Sequence, residues 1–194
     1  MNTMSSPNPF APQTIHLPEH ERIVVRLLEA ADAPKLIAYF NSLSASTKGY
    51  FAPHPFDSAT VNTICATLNP NECVRLIATS TANQAIIAYV LLQAGTISSD
   101  TDRYNSLGID INPATDCSLA PSIADAYQSQ GLGGHLIEKI IAITRTMEKK
   151  RIILWGGVQA GNGRAVRYYR KYGFVEMATF EHNGPNYDMC LTLE

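Results

Sequence analysis

The residues with the clearest chemical potential lie between Ile123 and Leu136, in the run IADAYQSQGLGGHL. A strand ending near Ala124 leads through Gln128, Ser129 and Gln130 into a helix that begins near Gly131. Gly133 and Gly134 follow Leu132 in its first turn. The start of a helix leaves backbone N–H groups without partners. Together with the positive pole of the helix they form a site for an anion such as a phosphate, and glycines let it approach the backbone. The spacing matches neither G-x-G-x-x-G nor the P-loop. Close helix–sheet packing is a second use for the same glycines. His135, one turn into the helix, reads as a surface or capping residue. Charge points the same way as the glycines. Residues 131–175 hold nine Lys or Arg against two Glu, a net +7 that leaves −9 on the remainder. Such asymmetry is the footprint of an anionic partner on this third of the chain. Further on, Tyr168, Tyr169 and Tyr172 share one helical segment. Such a stripe suits a core, and a phenol among them could also give a proton to a leaving group.

The elements that must position these groups follow from patterning. Gly131 to Lys149 is the clearest helix, with Leu132, Leu136, Ile140, Ile143 and Met147 on one stripe. Arg22–Leu28 reads as a strand and Ala30–Phe40 as a helix with Asp32 as cap and Pro34 in its first turn. Asn41–Phe56 has the composition of a loop, and Asp57 caps a helix running to Leu68. Arg75–Thr79 and Ala85–Gln93 read as a hairpin joined by Thr81–Gln84. Residues 99–104 are polar and irregular, and Leu107–Ile111 reads as a short strand. Leu119–Ala124 is a strand whose Pro121 marks an edge or a bulge. Arg151–Trp155, a helix over Asn162–Tyr172, and strands at Phe174–Phe180 and Tyr187–Leu193 complete the chain. The order implies a mixed α/β (α+β) fold with one mostly antiparallel sheet.

The chain has 194 residues, 45% hydrophobic and 16% charged, with net charge −2. That suits a single domain with a real core and argues against both disorder and a nucleic-acid protein held by bulk charge. Cys65, Cys73, Cys117 and Cys190 show no C-x-x-C pair and no metal-ligand spacing. They read as reduced thiols in the cytoplasm. The first twelve residues lack the pattern of a signal peptide. The most apolar run, Ala85–Leu92, is too short for a membrane span. Ser, Asn and Pro near the start predict a flexible tail over residues 1–20, followed by one domain over 21–194.

Two motifs at the right spacing resemble the GCN5-related N-acetyltransferase (GNAT) superfamily over residues 22–194. One is Q/R-x-x-G-x-G/A, here Gln128-Ser-Gln-Gly131-Leu-Gly133, between the fourth strand and the following helix. The other is N-x-x-A with an aromatic residue and K-x-G-F, here Asn162, Ala165, Tyr169, Lys171, Gly173 and Phe174. The resemblance implies the GNAT fold: a central, mostly antiparallel seven-stranded sheet, splayed between its fourth and fifth strands, with flanking helices. It implies acetyl-CoA as co-substrate, its pyrophosphate cradled by Gln128, Ser129, Gln130, Gly131, Leu132, Gly133 and Gly134. Its pantetheine arm would lie along Ile123, Ala124 and Asp125, with Asn162 on the cofactor side of the cleft. Tyr169 matches the tyrosine that protonates the leaving thiolate. Asp125 departs from the family's proline, and a carboxylate there opposes phosphates unless it points away. No carboxylate stands on the fourth strand, which offers Ser118 and Ser122. Asp110, Asp125 or ordered water remain as routes for the amine's proton.

The acceptor pocket of such folds would be built by Lys48–Phe56 and Glu181–Asn186. Tyr50, Phe51 and Phe56 would supply aromatic walls. His54, between two prolines, is either a packed turn residue or a pocket base. The implied activity is acetyl transfer from acetyl-CoA to a primary amine of a small molecule or peptide, with no metal, nucleic acid or membrane involved. The −9 remainder favours a cationic amine. Alternatives are a non-catalytic CoA-binding module, or an acyltransferase with a different donor or acceptor. A homodimer through the C-terminal strand is left open.

Overall fold

The computed structural model describes residues 8–17, 22–51 and 53–193. Its strands are β1 (Gln13–His16), β2 (Arg22–Leu27), β3 (Cys73–Ser80), β4 (Ile86–Gln93), β5 (Asp116–Ile123), β6 (Arg151–Leu154), β7 (Val158–Gln159), β8 (Val175–Glu181) and β9 (Pro185–Thr192). Its helices are α1 (Ala33–Ser42), α2 (Ala45–Gly49), α3 (Ser58–Ala66), α4 (Ser98–Ser106), α5 (Leu132–Thr146) and α6 (Gly163–Lys171). One sheet runs β1-β2-β3-β4-β5-β6-β9-β7, with β8 on the other edge of β9. Every pairing is antiparallel except β5 with β6.

The sheet is buried on both faces because helices cover both, which is why β4 reads as a continuous apolar run rather than an alternation. On one face α5 and α6 pack over the sheet. Leu132, Leu136, Ile140 and Ile143 are at most 2% exposed, each worth about 1.5–3 kcal/mol of burial. On the other face α1 and α3 enclose Leu36, Phe40 and Val61 against Ile77, Tyr89 and Leu91.

Three expectations need correction. The expected tail contains β1, which pairs with β2 because Ile15 and Leu17 are buried in the core; residues 1–7 and 18–21 of that expectation lie outside the described residues. The expected loop at Asn41–Phe56 holds α2, capped by the Ser44 hydroxyl, which accepts from the Thr47 N–H at 3.1 Å. Residues 98–106 form α4, while 107–111 form a turn in which Gly108 has φ +74°. The seven expected strands are present once β6 and β7 are counted as one interrupted strand, and β1 is added to them.

The interruption between β6 and β7 matters most. Arg151 faces Thr192 on β9, yet Val158 faces Tyr187, so two extra residues are accommodated between them. They form a bulge at Gly156–Gly157, both with positive φ. A Cβ on Gly157 would lie 2.8 Å from the Tyr187 carbonyl oxygen and 2.7 Å from the Phe180 ring. α4 holds this bulge: the Gly156 N–H donates to Asp100 Oδ2 at 2.9 Å. Arg103 binds Asp100 at 2.8 Å, grips Asp188 through two bonds of 2.6 and 2.8 Å, and stacks 3.9 Å over Phe180. Both aspartates are fully buried. α4 has no apolar stripe to announce it; buried charge and Tyr104 hold it down.

Removing one member of such a buried network leaves the rest uncompensated. Asp188→Ala is therefore expected to destabilise the fold by about 3 kcal/mol, read as a shifted midpoint in urea unfolding. A midpoint unchanged from wild type would show that the network does not hold this region.

Candidate active site

β5 and β6 pair for only four residues, from Asp116 opposite Arg151 to Leu119 opposite Leu154. Trp155 adds one bond, N–H to the Leu119 carbonyl at 3.0 Å. Beyond it β6 follows β9 through the bulge, while Ala120–Ile123 stay with β4. Along β5 the even-numbered residues turn their backbone groups to β4, as the Ala124 N–H does to Ile87. The odd-numbered ones face the notch. Pro121 has no N–H to leave unpaired there. This is the edge that Pro121 marks: an edge inside the sheet, made by the splay. The Ile123 carbonyl in the notch accepts from Gln128 Nε2 at 2.8 Å.

A cavity of about 440 Å³ opens from this notch. Of the residues the motifs single out, Ile123, Gln128, Ser129, Gly131, Gly133, Gly134, Asn162 and Tyr169 line it. Three do not. Leu132 is fully buried in the core, Ala124 packs on the opposite face, and Gln130 bonds the Ala126 carbonyl; their backbones, not their side chains, belong to the loop. The glycines divide their work. Gly131, at φ +92°, sets the turn into α5, where a Cβ would meet only the Leu17 side chain, at 3.9 Å. Gly133 and Gly134 admit α6: a Cβ there would meet the Tyr168 ring at 2.9 Å and the Tyr172 hydroxyl at 2.5 Å. The packing reading holds at Gly133 and Gly134, while Gly131 serves the turn that opens the α5 N-terminus.

Asn162 caps α6, its side-chain oxygen accepting from the Ala165 N–H at 3.2 Å. Arg164, Arg167 and Lys171 rise from α6 into the same cavity. The i, i+3, i+7 spacing that puts three cations on one face was present in the sequence as undifferentiated charge. With the free N–H groups of α5, they suit a polyanionic ligand. Tyr169 is buried, and burial alone raises its pKa above the ordinary phenol range, so it is protonated at neutral pH. A smaller cavity of about 90 Å³ adjoins beyond it, lined by Tyr50, Phe51, Ala120, Pro121, Trp155 and Tyr169 among others. No residue of 181–186 lines either cavity.

Asp125 points away from the cradle. One carboxylate oxygen accepts from the Ser44 hydroxyl at 2.8 Å and the Thr47 hydroxyl at 2.7 Å; the other accepts from the Ser44 N–H at 3.0 Å. These bonds, the Ser44 N–H first, hold its pKa down to about 2. Gln128 also reaches the Thr47 hydroxyl, at 3.3 Å. The loop before α5 is thus tied to α2, a link with no sequence signature. Asp110 is exposed near the other end of β5. Ser118 is fully buried, while Ser122 accepts from the Tyr39 hydroxyl at 3.0 Å and donates to the Tyr89 carbonyl. Among the described residues no carboxylate or histidine lines the two cavities at Tyr169.

Residues 119–174 match the acetyltransferase (GNAT) family model. The fold resembles the GNAT domain of S. lividans PAT, at 22% identity over 94% of this chain and 97% of that one, with a TM-score of 0.74. It also resembles a ribosomal-protein-S5-alanine acetyltransferase from Vibrio fischeri, at 15% identity over 93% and 96%, TM-score 0.71. A third similar structure is AAC(6')-Ib in complex with parmomycin and acetyl-CoA, at 20% identity over 88% and 93%, TM-score 0.63.

The Asp125 tie has a signed pH dependence. A carboxylate whose folded pKa lies below its unfolded value of about 3.9 stabilises above that value and loses its effect as pH falls through about 2. At pH 7, Asp125→Ala should speed amide exchange at Ser44 by about tenfold. The difference from wild type should shrink as pH falls from about 4 towards 2. Equal exchange at pH 7 would remove the tie.

Proposed function

We propose that the chain, whose residues 119–174 match the acetyltransferase (GNAT) family model and whose fold resembles that of GNAT structures, moves an acetyl group from acetyl-CoA to a primary amine of a small molecule or peptide. The observation that carries this reading is one continuous passage. It runs from the N–H cradle and the α6 cations, along the unpaired edge of β5, to a buried protonated tyrosine, with a second cavity beyond. The similar structures that bear acetyltransferase names, one of them holding acetyl-CoA, support it.

Acetyl-CoA supplies the activated thioester acyl group. The N–H groups of residues 131–133 and the side chains of Arg164, Arg167 and Lys171 hold its phosphates. The outward-facing N–H and carbonyl groups on the β5 edge orient its amide-bearing arm, much as a neighbouring strand would be held. The Ile123 N–H on that edge is placed to polarise a carbonyl. Tyr169 gives its proton to the departing sulfur; a group kept neutral at pH 7 can donate throughout. Alignment of the two substrates on either side of Tyr169 supplies much of the rate. A cytoplasmic setting fits this reading, since Cys65, Cys73, Cys117 and Cys190 are all free thiols.

The amine must attack as the neutral species, and the cavities at Tyr169 present no side-chain base. We infer that the proton leaves to solvent and that only the neutral fraction of the acceptor reacts. Asp125, committed to α2, neither repels the phosphates nor serves as base, so it lends no weight to a non-catalytic module.

Calorimetric titration with acetyl-CoA should give micromolar binding at one site per chain; no binding by the folded protein would end the reading. Tyr169→Phe should lower kcat by about a hundredfold while leaving acetyl-CoA affinity unchanged; unchanged turnover would remove Tyr169 as the acid. Below the acceptor's own pKa, kcat/KM should rise about tenfold per pH unit. The inflexion should move with the pKa of the amine used. An inflexion fixed across amines would reveal an enzymic base instead.

A further inference from the structure

A separate cavity of about 390 Å³ lies on the opposite face of the sheet, between α3 and the β3–β4 strands. Its floor holds Arg75 of β3 and Leu91 and Gln93 of β4; Thr60, Thr63 and Trp155 stand at its sides. Arg75 is half-buried and, among the described residues, has no carboxylate within 4.0 Å. The neighbouring acids are otherwise placed. Asp57 caps α3 through Thr60, Asp32 pairs with Arg26, and exposed Glu72 borders the adjoining cleft, which Arg75 also lines, without coming within 4.0 Å of the guanidinium. Arg75 donates to the Tyr89 hydroxyl. That hydroxyl donates in turn to His54 Nε2 at 3.3 Å, because His54 Nδ1–H is given to the Pro55 carbonyl at 2.7 Å. The relay fixes the guanidinium and uses one of its five N–H groups on Tyr89.

A half-buried guanidinium that faces an open cleft with no carboxylate in ion-pair reach is a group that an anionic ligand can pair. Trp155 borders this cavity and the one beside Tyr169. Arg75, Leu91 and Ala120 lie in register across β3, β4 and β5, so Arg75 stands two strand spacings, on the order of 10 Å, from the β5 edge.

We propose that this cavity seats a carboxylate of the acceptor, with Arg75 as its anchor, and that the acceptor is an amine carrying that carboxylate on the order of 10 Å from its reacting nitrogen. Among the described residues Arg75 is the only charged side chain bordering the cavity, and the other lining residues are neutral or apolar, which suits a monoanion better than a phosphate dianion. The spacing excludes the carboxylate of a short α-amino acid, which sits beside its own amine. It suits a long ω-amino acid or the far carboxylate of a peptide of about three residues. The substrate class rests on the acetyltransferase reading; the anion site does not.

The test uses Trp155, the single tryptophan of the chain, as a fluorescent reporter in the absence of acetyl-CoA. Octanoate and ω-aminooctanoate should change its emission saturably, and Arg75→Gln should weaken both by about tenfold or more. In the unmutated protein, octanamide should bind at least about tenfold more weakly than octanoate, a comparison that needs no variant to fold. Octanamide binding as tightly as octanoate, or octanoate binding unaltered by Arg75→Gln, would overturn the site. Octyl phosphate binding more tightly than octanoate would overturn the choice of a carboxylate. In turnover, ω-aminooctanoate should exceed octylamine in kcat/KM, with the advantage lost in Arg75→Gln. Octanoate binding without acetyl-CoA binding would retire the acetyltransferase reading alone. Acetyl-CoA binding without octanoate binding would retire the anchor alone.

Discussion

The site depends on a sheet that stops being a sheet. Two parallel strands give up their ladder after Leu119 and Leu154, exposing polar backbone that would ordinarily be paired. Such an edge survives only if something prevents it from closing. Here Pro121 removes one donor from β5, and the Gly156–Gly157 bulge turns the other strand away. The bulge is fixed by a carboxylate, Asp100, that accepts from Gly156 and is itself neutralised by Arg103 and Asp188. Moving the bulge would disturb two buried carboxylates and the half-buried guanidinium that joins them. A polar, loop-like insertion is in this way part of the site's architecture, though it contributes no lining residue to it.

A second constraint joins the two faces of the molecule. The loop before α5 is shaped by positive φ at Ser129 and Gly131, a conformation that local sequence alone holds weakly. Gln128 and Asp125 anchor it from within the chain and from α2 at once. α2 continues into Tyr50 and Phe51, which border both cavities at Tyr169. Order in the cradle and order in the acceptor-side wall are therefore the same event, linked through two hydroxyls and one carboxylate.

Much of this was legible where pattern and chemistry coincide. The α5 stripe, the Asp57 cap and the glycine turn announce themselves by spacing, because each is a local solution to a local problem. Pro121 signalled an edge correctly, although the edge is internal. What escaped was held by partners distant in sequence. β1 exists because Ile15 and Leu17 find the core, in a stretch whose composition suggests a tail. α4 exists because Asp188, 85 residues beyond Arg103, is its counter-charge. Arg75 looked like any strand arginine; only the absence of a nearby carboxylate among the described residues, together with the cleft in front of it, sets it apart.

The distribution of charge acquires a spatial meaning once these pieces are placed. Of the nine cations in residues 131–175, Arg164, Arg167 and Lys171 line the site, on the α6 face that flanks the α5 N-terminus. The acidic remainder attracts a protonated amine towards the molecule, yet attraction at long range is a matter of encounter and not of seating. Within the acceptor-side space the local field reverses: Arg75 is the charge that a ligand meets, and His54 is kept neutral by burial and by the repulsion of Arg75. A simple polyamine is drawn in by the first field and repelled by the second. A molecule with an amine at one end and a carboxylate at the other satisfies both, and its orientation is set before the amine reaches Tyr169. Selectivity then arises from the order in which the two fields are met, with the carboxylate fixed first and the nitrogen delivered along the sheet to the edge of β5.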